Sequence, residues 1–324
     1  MKKILSIVSL LFLVLSLAAC GSSTASQGAG KNKLQEVRYA PLQGTNGLAV
    51  QYGIKKGFFK KAGLNIKLVQ ADDQMTILTS NEADIADAPT TSAIIAAGKG
   101  APIKIVASLF RTKGPFYLIG DPKIKSVKEL KGKKVGIGKA GTGLDLYTRK
   151  ILKDNGVNLK EVTLVSAGSQ QDAYSALINH KVDATIIHEP FVSLGEKTGK
   201  AKLLAKGWDY LPTFHTGVLS ARQDFIKQKP ELLRKFIRAY FESNRYAKSH
   251  LNEYLKYVQK RVKVDPEALK ESYKRENVLW ENNPKVNLTD LEDTQKIQKE
   301  FGFQDKLYDL KKIVDLKYIP KEDK

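Results

Sequence analysis

Cysteine is almost absent from this chain. Its 324 residues include one cysteine, two methionines, two tryptophans and four histidines. Because Cys20 is the single cysteine, the residues after it can form no disulfide, no thiolate metal site and no cysteine nucleophile. The histidines, at positions 180, 188, 215 and 250, show no HExxH spacing, and the sequence contains no GxSxG motif. The residues therefore argue against metal-dependent and nucleophilic catalysis, and they predict no metal and no cofactor.

Acidic residues are also scarce, at 34 against 54 lysines and arginines, which leaves a formal net charge of +20. This excess has two interpretations. One is nucleic-acid binding, which requires a basic stripe or a recognisable module; the other is a lysine-rich surface. The lysines are interspersed with glutamates along most of the chain, and no such module is recognisable. The sequence therefore favours the second interpretation and predicts no nucleic-acid partner. The lack of internal repeats disfavours a structural adhesin.

The N-terminus has the three parts of a secretory signal. Two lysines precede an apolar stretch at residues 4–17, and the sequence LAAC follows at residues 17–20. The stretch is shorter than the roughly 20 residues that a membrane span needs. Because LAAC resembles the bacterial lipobox, we expect a signal peptide at residues 1–19 and lipidation of Cys20; an ordinary cleaved signal is the alternative. Residues 20–33 lack large apolar side chains, which predicts a flexible tether to the outer face of the bacterial cytoplasmic membrane.

The middle of the chain alternates two kinds of segment. Between residues 36 and 204, short β-like runs are separated by stretches of helical periodicity, a pattern that favours parallel sheets with helices on their faces. The last third is helical in character. In a helix predicted to start at Pro230, apolar residues recur at intervals of three and four, on one face: Leu232, Leu233, Phe236, Ile237, Tyr240 and Phe241. The sequence therefore predicts the α/β fold class.

Several sequence blocks carry a family resemblance. They are GIKKGFF at 53–59, AGL at 62–64, ADIAD at 83–87, KSVKELKGKKV at 125–135, DAYSAL at 172–177 and VDA at 182–184. In this order, the chain resembles the solute-binding proteins of bacterial ABC importers. The nearest group binds sulfonates, taurine, nitrate or thiamine-pyrimidine precursors. The resemblance implies a monomer that binds a small solute and delivers it to the permease and ATPase subunits of an importer.

The same resemblance implies the two-lobed periplasmic-binding-protein fold (type II), in which the chain crosses the hinge twice. Lobe 1 is expected to contain residues 34–119 and 216–324, and lobe 2 residues 120–215. The helical C-terminal third is expected to pack on lobe 1. The ligand is expected between the lobes, beyond the carboxyl ends of the parallel strands.

In lobe 2, a glycine-rich loop at residues 138–143 is the first candidate for binding. It lies between a predicted strand and a predicted helix, where free amides attract anions. Gly141 and Gly143 allow close backbone approach, and Thr142 adds a hydroxyl. The run at residues 136–141 also reads as the dinucleotide motif GxGxxG, but its position in mid-chain favours a solute site. A turn without a ligand is the other alternative.

In lobe 1, two corresponding junctions carry polar side chains. Thr90 and Thr91 follow a predicted strand at the start of a helix, and one of Thr90, Thr91 and Ser92 is expected to be the N-cap. Gln43 and Asn46 follow the first strand, and their amide groups can both donate and accept hydrogen bonds. For these two residues, an ordinary surface loop is an equally good interpretation.

Charged and imidazole side chains complete the predicted site. Glu189 follows a strand end, where a carboxylate would repel a bare anion and suit an ammonium or aminopyrimidine donor. Arg111 could bind an anionic group, and His188 and His215 lie at predicted lobe ends. Together, these charges suit a zwitterion, although a solvated rim position is the alternative for each. Among the solutes that the resemblance implies, sulfonates are expected first and aminopyrimidines second, with nitrate less favoured because of Glu189. Enzymes that resemble these binding proteins rely on cysteines. Because this chain has no cysteine after Cys20, we expect a binding protein and not an enzyme.

Overall fold

The computed structural model describes residues 33–70 and 73–321. The predicted signal peptide and the lipidation of Cys20 therefore lie outside the described residues, and so does the side chain of Asn46. No helix within the described ranges combines the length and the apolar character that crossing a membrane requires.

The described residues form ten strands. In chain order these are β1 (Gln35–Ala40), β2 (Leu64–Leu68), β3 (Ile85–Pro89), β4 (Ile103–Ser108), β5 (Tyr117–Gly120), β6 (Lys134–Ile137), β7 (Thr163–Ser166), β8 (Ala184–Ile187), β9 (Lys202–Lys206) and β10 (Gly217–Arg222).

The same part of the chain forms thirteen α-helices. They are α1 (Leu48–Lys56), α2 (Phe58–Lys61), α3 (Gln74–Thr79), α4 (Thr90–Gly98), α5 (Gly143–Asp154), α6 (Gln170–Ile178), α7 (Phe191–Lys197), α8 (Gln223–Gln228), α9 (Pro230–Ser249), α10 (Leu251–Gln259), α11 (Pro266–Glu276), α12 (Leu288–Glu300) and α13 (Leu310–Ile313). Short 3-10 segments lie at Gly44–Gly47, Val127–Leu130, Leu159–Glu161, Gly207–Asp209, Asn277–Leu279 and Leu316–Tyr318.

The strands form two five-stranded sheets, which confirms the predicted α/β class. The first sheet has the order β2-β1-β3-β10-β4, and the second has the order β7-β6-β8-β5-β9. In the first, β1 is parallel to β2 and β3, with Tyr39 opposite Ile85; in the second, β6 is parallel to β7 and β8. Both sheets are mixed, because β10 and β5 run antiparallel to their neighbours. In each sheet, the antiparallel strand is the one that arrives from the other sheet.

The first crossing between the sheets comes earlier than the sequence predicts. The sequence-based boundary placed residues up to Ile119 in lobe 1, whereas β5 pairs with β8 and β9 in the second sheet. The crossing therefore lies between β4 and β5, and the return lies between β9 and β10. The strand itself is predictable from its apolar residues. Its sheet is decided by neighbours that are distant in the chain.

Helix α9 covers one face of the first sheet, as its apolar stripe predicts. Phe236, Ile237 and Tyr240 are buried, and the Phe236 ring lies 5.0 Å from that of Tyr39 on β1. Burying such a side chain contributes about 1.5–3 kcal/mol to stability. Pro230 occupies the first turn, where its missing N–H costs nothing.

The C-terminal third packs more widely than on lobe 1 alone. Helices α9 and α10 contact α1, in agreement with the prediction. Helix α11, however, packs on α7. Ile297 of α12 and Phe301, which follows this helix directly, pack against the apolar core of the second sheet. These helices therefore connect the two halves of the protein.

Candidate functional site

A cavity of about 290 Å³ lies where segments from both sheets meet. Pro89 lines it from the end of β3, Thr91 from the start of α4 and Arg111 from the chain after β4. Lobe 2 contributes the loop after β6, through Thr142, and the end of β8, through His188. The cavity therefore lies beyond the carboxyl ends of strands, where ligands bind in open α/β sheets. Ligand pockets range from about 300 to 1,000 Å³, so this volume suits a small molecule.

Much of the cavity wall is apolar. Phe110 and Leu109 line it from the first crossing, Phe116 from the segment before β5, Leu144 from α5 and Phe214 from the return crossing. The ring of Phe116 is packed edge-on against Tyr147, at 4.6 Å between ring centres, which holds this part of the wall in place. Such a wall suits a hydrocarbon group on the ligand.

Two helices begin at the cavity, one from each sheet. Helix α4 begins at Thr90 and α5 at Gly143, and the first amides of a helix have no carbonyl one turn earlier. The Thr90 amide donates instead to the Thr216 carbonyl at 3.1 Å. Helix N-termini carry partial positive charge and bind anions. At α4, Thr91 lines the cavity and is 2% exposed, and its buried hydroxyl has no hydrogen-bond partner among the described residues. This hydroxyl is therefore the candidate for contact with a ligand at this helix start.

Thr90 and His215 stabilise the start of α4 and do not contact the cavity. The Thr90 hydroxyl and Nδ1 of His215 are hydrogen bonded at 3.0 Å, and both residues are buried. The backbone N–H of His215 donates to the Thr294 hydroxyl at 2.9 Å. Neither residue lines the cavity, although the sequence singled out both. Their hydrogen bond instead holds the start of α4.

The glycine-rich loop of lobe 2 uses two of the donors that the sequence analysis assigned to a ligand. The Gly141 amide donates to the Asp145 carboxylate at 3.0 Å, and the Thr142 hydroxyl donates to the Lys139 carbonyl at 2.6 Å. In the structure, both donors therefore serve the loop's own turn, and their contact with a ligand stays a prediction. Gly141 has φ of 78°, which favours glycine. Thr142 and Gly143 line the cavity, and the Gly143 amide opens α5.

The charged groups at the cavity are cations. Arg111 lines it, and its Nη1 donates to a Glu276 oxygen at 2.7 Å. Lys139 stands at the wall, with its ammonium 3.9 Å from the Asp73 carboxylate of the first lobe. No carboxylate is among the lining residues within the described ranges. The cavity therefore favours a negatively charged ligand.

His188 adds a hydrogen-bond acceptor to this wall. Burial, together with the charge of Arg111, lowers the pKa of His188 to about 4, so the ring is neutral at pH 7. Its Nδ1 lies 3.0 Å from the Pro115 carbonyl oxygen, which can only accept, so Nδ1 carries the hydrogen. The Nε2 atom is then a lone-pair acceptor. His188 can therefore accept a hydrogen bond from an ammonium, amine or hydroxyl group.

Glu189 lies outside the large cavity. It is 5% exposed, and its oxygens accept hydrogen bonds from the Ser193 amide at 3.0 Å and the Ser193 hydroxyl at 2.9 Å. Nη1 of Arg275, on α11, lies 3.2 Å from the same carboxylate. Glu189 lines a separate cavity of about 20 Å³ with Glu276 and Arg111, and burial raises the pKa of Glu189 to about 7. The structure thus gives this carboxylate protein partners.

Gln43 is the last of the predicted site residues. Its side chain is exposed and lines neither of the two cavities. Of the predicted residues, the large cavity brings together Thr91, Arg111, Thr142, Gly143 and His188. Within the ranges that the structure describes, no three His, Asp or Glu side chains group as metal ligands.

Comparison with known proteins assigns the chain to a family. The sequence model of the NMT1/THI5-like family matches residues 45–253, which include all the segments named above from α4, the first crossing, α5 and β8. The chain belongs to the NMT1/THI5-like family.

Relatives of this NMT1/THI5-like protein have two kinds of name. A Bacillus subtilis protein named for binding aliphatic sulfonates is 28% identical over 335 residues, which span 99% of this chain and 96% of that protein. A yeast protein from Saccharomyces cerevisiae, named 4-amino-5-hydroxymethyl-2-methylpyrimidine phosphate synthase, is 28% identical over 211 residues, or 59% of this chain and 60% of that protein.

A solved structure establishes the fold of this NMT1/THI5-like protein. The periplasmic aliphatic sulphonate binding protein of Escherichia coli superposes with a TM-score of 0.71 at 18% identity, over 87% of this chain and 92% of that one. The predicted two-lobed periplasmic-binding-protein fold is therefore confirmed.

Sequence reasoning missed the aromatic wall of the site in this NMT1/THI5-like protein. Phe110, Phe116 and Phe214 lie in the two crossings. From the sequence, apolar residues at such positions are interpreted as part of the hydrophobic core or of a connecting segment. Their position in the crossings was the available signal, because ligand sites occur preferentially at the interface between domains. Glu276 was missed because the C-terminal third was interpreted only as cover for a sheet.

Proposed function

We propose that this NMT1/THI5-like protein is the extracytoplasmic solute-binding component of an ABC importer, and that its solute is a small organic sulfonate. The observation that carries the proposal is the composition of the large cavity. Its lining combines two helix N-termini, the free hydroxyl of Thr91 and the cation of Arg111 with apolar walls and no described carboxylate.

A sulfonate suits this lining because it is an anion that only accepts hydrogen bonds. A hydrogen bond to a charged group contributes about 1.5–3 kcal/mol, and two or three such bonds would account for firm binding of the head group. The hydrocarbon part would pack on Phe110, Phe116 and Phe214, at about 0.8 kcal/mol per buried CH₂. Nitrate could use the donors but not the apolar wall.

The substituent at the far end of the sulfonate has one candidate partner. His188 offers a neutral acceptor, so an amino or hydroxyl group, as in a taurine-like sulfonate, could donate to it. The sequence assigned this task to Glu189, whose oxygens are held by Ser193 and Arg275. In our proposal, His188 replaces Glu189 as the acceptor.

An aminopyrimidine is the second candidate solute. Two observations favour it: the acceptor of His188 could bind an amino group, and the yeast relatives are named as pyrimidine phosphate synthases. The aromatic wall would also suit a flat ring. The cations at the cavity favour the sulfonate, since a neutral pyrimidine makes no use of them.

Binding without catalysis is part of the proposal. The free hydroxyl of Thr91 has no hydrogen-bonded base in the part of the chain that the structure describes, so it lacks the activation that a nucleophile needs. Mass spectrometry of the solute before and after incubation tests this point. Recovery of an altered solute would contradict it.

Membrane attachment and delivery complete the proposed role. The sequence LAAC at residues 17–20 supports a lipid anchor at Cys20, and the tether after it would allow the folded part to reach a permease in the same membrane. The permease and ATPase subunits of the importer are the proposed partners.

Calorimetry on the purified protein tests the choice of solute. The panel is 1-butanesulfonate, taurine, 4-amino-5-hydroxymethyl-2-methylpyrimidine and nitrate, and we expect the sulfonates to bind most tightly. The variant Thr91→Val removes the free hydroxyl, and losing a hydrogen bond to a charged group should weaken sulfonate binding roughly ten- to a hundredfold. Thr163→Val, on an exposed position of β7, is the matched control. Tight binding of the pyrimidine alone would reject the sulfonate proposal.

A further inference from the structure

A buried carboxylate lies behind the lobe 1 wall of the large cavity. Asp87, on β3, is 1% exposed. Its Oδ2 accepts from the Tyr39 hydroxyl at 2.8 Å and from the Leu42 amide at 3.3 Å. Leu42 lines the cavity, and so do Pro89 and Thr91, two and four residues after Asp87. Asp87 therefore connects the two chain segments that form this wall.

No cation compensates this carboxylate within the described residues. No lysine, arginine or histidine there forms an ion pair with Asp87, and its Oδ1 has no hydrogen-bond partner. The titratable groups that face it are the hydroxyls of Tyr39 on β1 and Tyr240 on α9. Across the sheet, β10 presents the apolar Leu219 opposite Asp87. A buried charge without a partner costs several kcal/mol, so the environment favours the protonated carboxyl group.

The titration of Asp87 falls in the neutral range for this reason. Burial raises its pKa to about 7, against the opposing effect of hydrogen bonds from Tyr39, Leu42 and Tyr240. Near pH 7 the folded protein is therefore a mixture of the protonated and the charged form. A new charge in the adjacent cavity would shift this balance.

We propose that capture of an anionic solute by this protein is coupled to the uptake of a proton by Asp87. The inference rests on the proposed function, because the coupling requires a negative charge in the cavity. Like charges repel, so the bound anion disfavours the carboxylate and favours the neutral carboxyl group. Linkage is reciprocal: a proton on Asp87 strengthens solute binding by the same factor by which the solute strengthens proton binding.

Because protonation of Asp87 and binding of the anion favour each other, we expect solute binding to be tighter at low pH. If the anion raises the pKa of Asp87 by about one unit, binding is about tenfold tighter well below pH 7 than well above it. The sulfonate keeps one charge throughout this range. His188 stays neutral, because its pKa is about 4. Two other buried carboxyl groups could also titrate: Glu189, with a pKa of about 7, and Glu276, whose pKa burial raises, so the experiment must separate both from Asp87.

Calorimetry with 1-butanesulfonate measures the proton directly. At pH 7.5, the titration is run in two buffers of very different ionisation enthalpy, neither of them a sulfonate, and the difference in apparent enthalpy gives the number of protons taken up. We expect fractional uptake in the wild type and in Glu189→Gln. In Asp87→Asn, which resembles the protonated form, we expect no uptake and an affinity at pH 8.5 close to that of the wild type at pH 6.

The wild-type measurement needs no variant, so a failure of Asp87→Asn to fold would leave the test intact. Sulfonate binding with equal enthalpies in both buffers would overturn the coupling and leave the proposed function standing. Proton uptake that persists in Asp87→Asn and disappears in Glu189→Gln would assign the proton to Glu189. That result would also overturn the proposed coupling to Asp87. If no anion binds, the proposed function fails, and this inference fails with it.

Discussion

Arg111 forms an ion pair in the structure and has a proposed role in binding the solute, and a pair of substitutions can separate the two. Its Nη1 donates to Glu276 at 2.7 Å, and its guanidinium group lines the large cavity. Both side chains are mostly buried, at 11% and 16% exposed. Replacing Arg111 by methionine keeps much of the volume, removes the proposed ligand contact and leaves Glu276 buried without its cation.

The expected stability loss comes from Glu276. Burial raises the pKa of this carboxyl group even with Arg111 present, so the charged form depends on that partner. Removing one member of a buried ion pair costs about 3–5 kcal/mol. Because the pair keeps some exposure, we expect about 3 kcal/mol for Arg111→Met. In the double variant Arg111→Met/Glu276→Gln no charge remains unpaired, and we expect most of that loss to be restored.

The expected affinity loss comes from the solute. A hydrogen bond from Arg111 to a sulfonate contributes about 1.5–3 kcal/mol, so binding should weaken roughly ten- to a hundredfold in both the single and the double variant. Urea unfolding measures the stability, and calorimetry with 1-butanesulfonate measures the affinity. Arg261→Met is the control, since Arg261 stacks on Tyr257 at 3.6 Å and does not line the cavity. Full sulfonate affinity in the double variant would refute the ligand role of Arg111.

Two further predictions concern residues that the sequence singled out. Glu189→Gln should change sulfonate affinity by less than about twofold, because the carboxylate already accepts hydrogen bonds from Ser193 and pairs with Arg275. A tenfold loss of affinity in calorimetry would instead support the contact between Glu189 and the solute that the sequence predicts. Cys20→Ala should abolish lipid labelling and release the protein from membranes, with Ser22→Ala as the neighbouring control. Membrane retention of the cysteine variant after fractionation would argue for an anchor elsewhere.

Part of the site was predictable because it depends on local chain geometry. The loop before α5 needs glycine at residue 141, where φ is positive, and a polar residue at 142 next to the helix start. Such junctions can be recognised from spacing alone. Thr91, Thr142 and Gly143 were found in this way. The hydrogen bonds that consume the Gly141 and Thr142 donors were missed, because they depend on how the loop closes.

The sequence by itself determined the elements of this protein. Periodicity of apolar residues predicts α9, alternation predicts the strands, and a few punctuating residues such as Pro230 and Gly141 place the ends and turns. Each of these signals acts within about ten residues, through backbone sterics, capping and the burial of one face. They are therefore readable without knowing what packs against them.

Only the tertiary structure decided which elements meet. It placed β5 in the second sheet and paired Glu189 with Arg275 from a helix 86 residues later. It also left Asp87 buried with no cation beside it in the part of the chain that the structure describes. Burial and charge pairing depend on neighbours that the fold brings together from distant parts of the chain. These neighbours decide which carboxyl group is protonated, which carboxylate is hydrogen bonded to the protein, and which donors remain for a solute. For that reason, the family resemblance could indicate where the solute binds, while its chemistry had to be argued from the folded cavity.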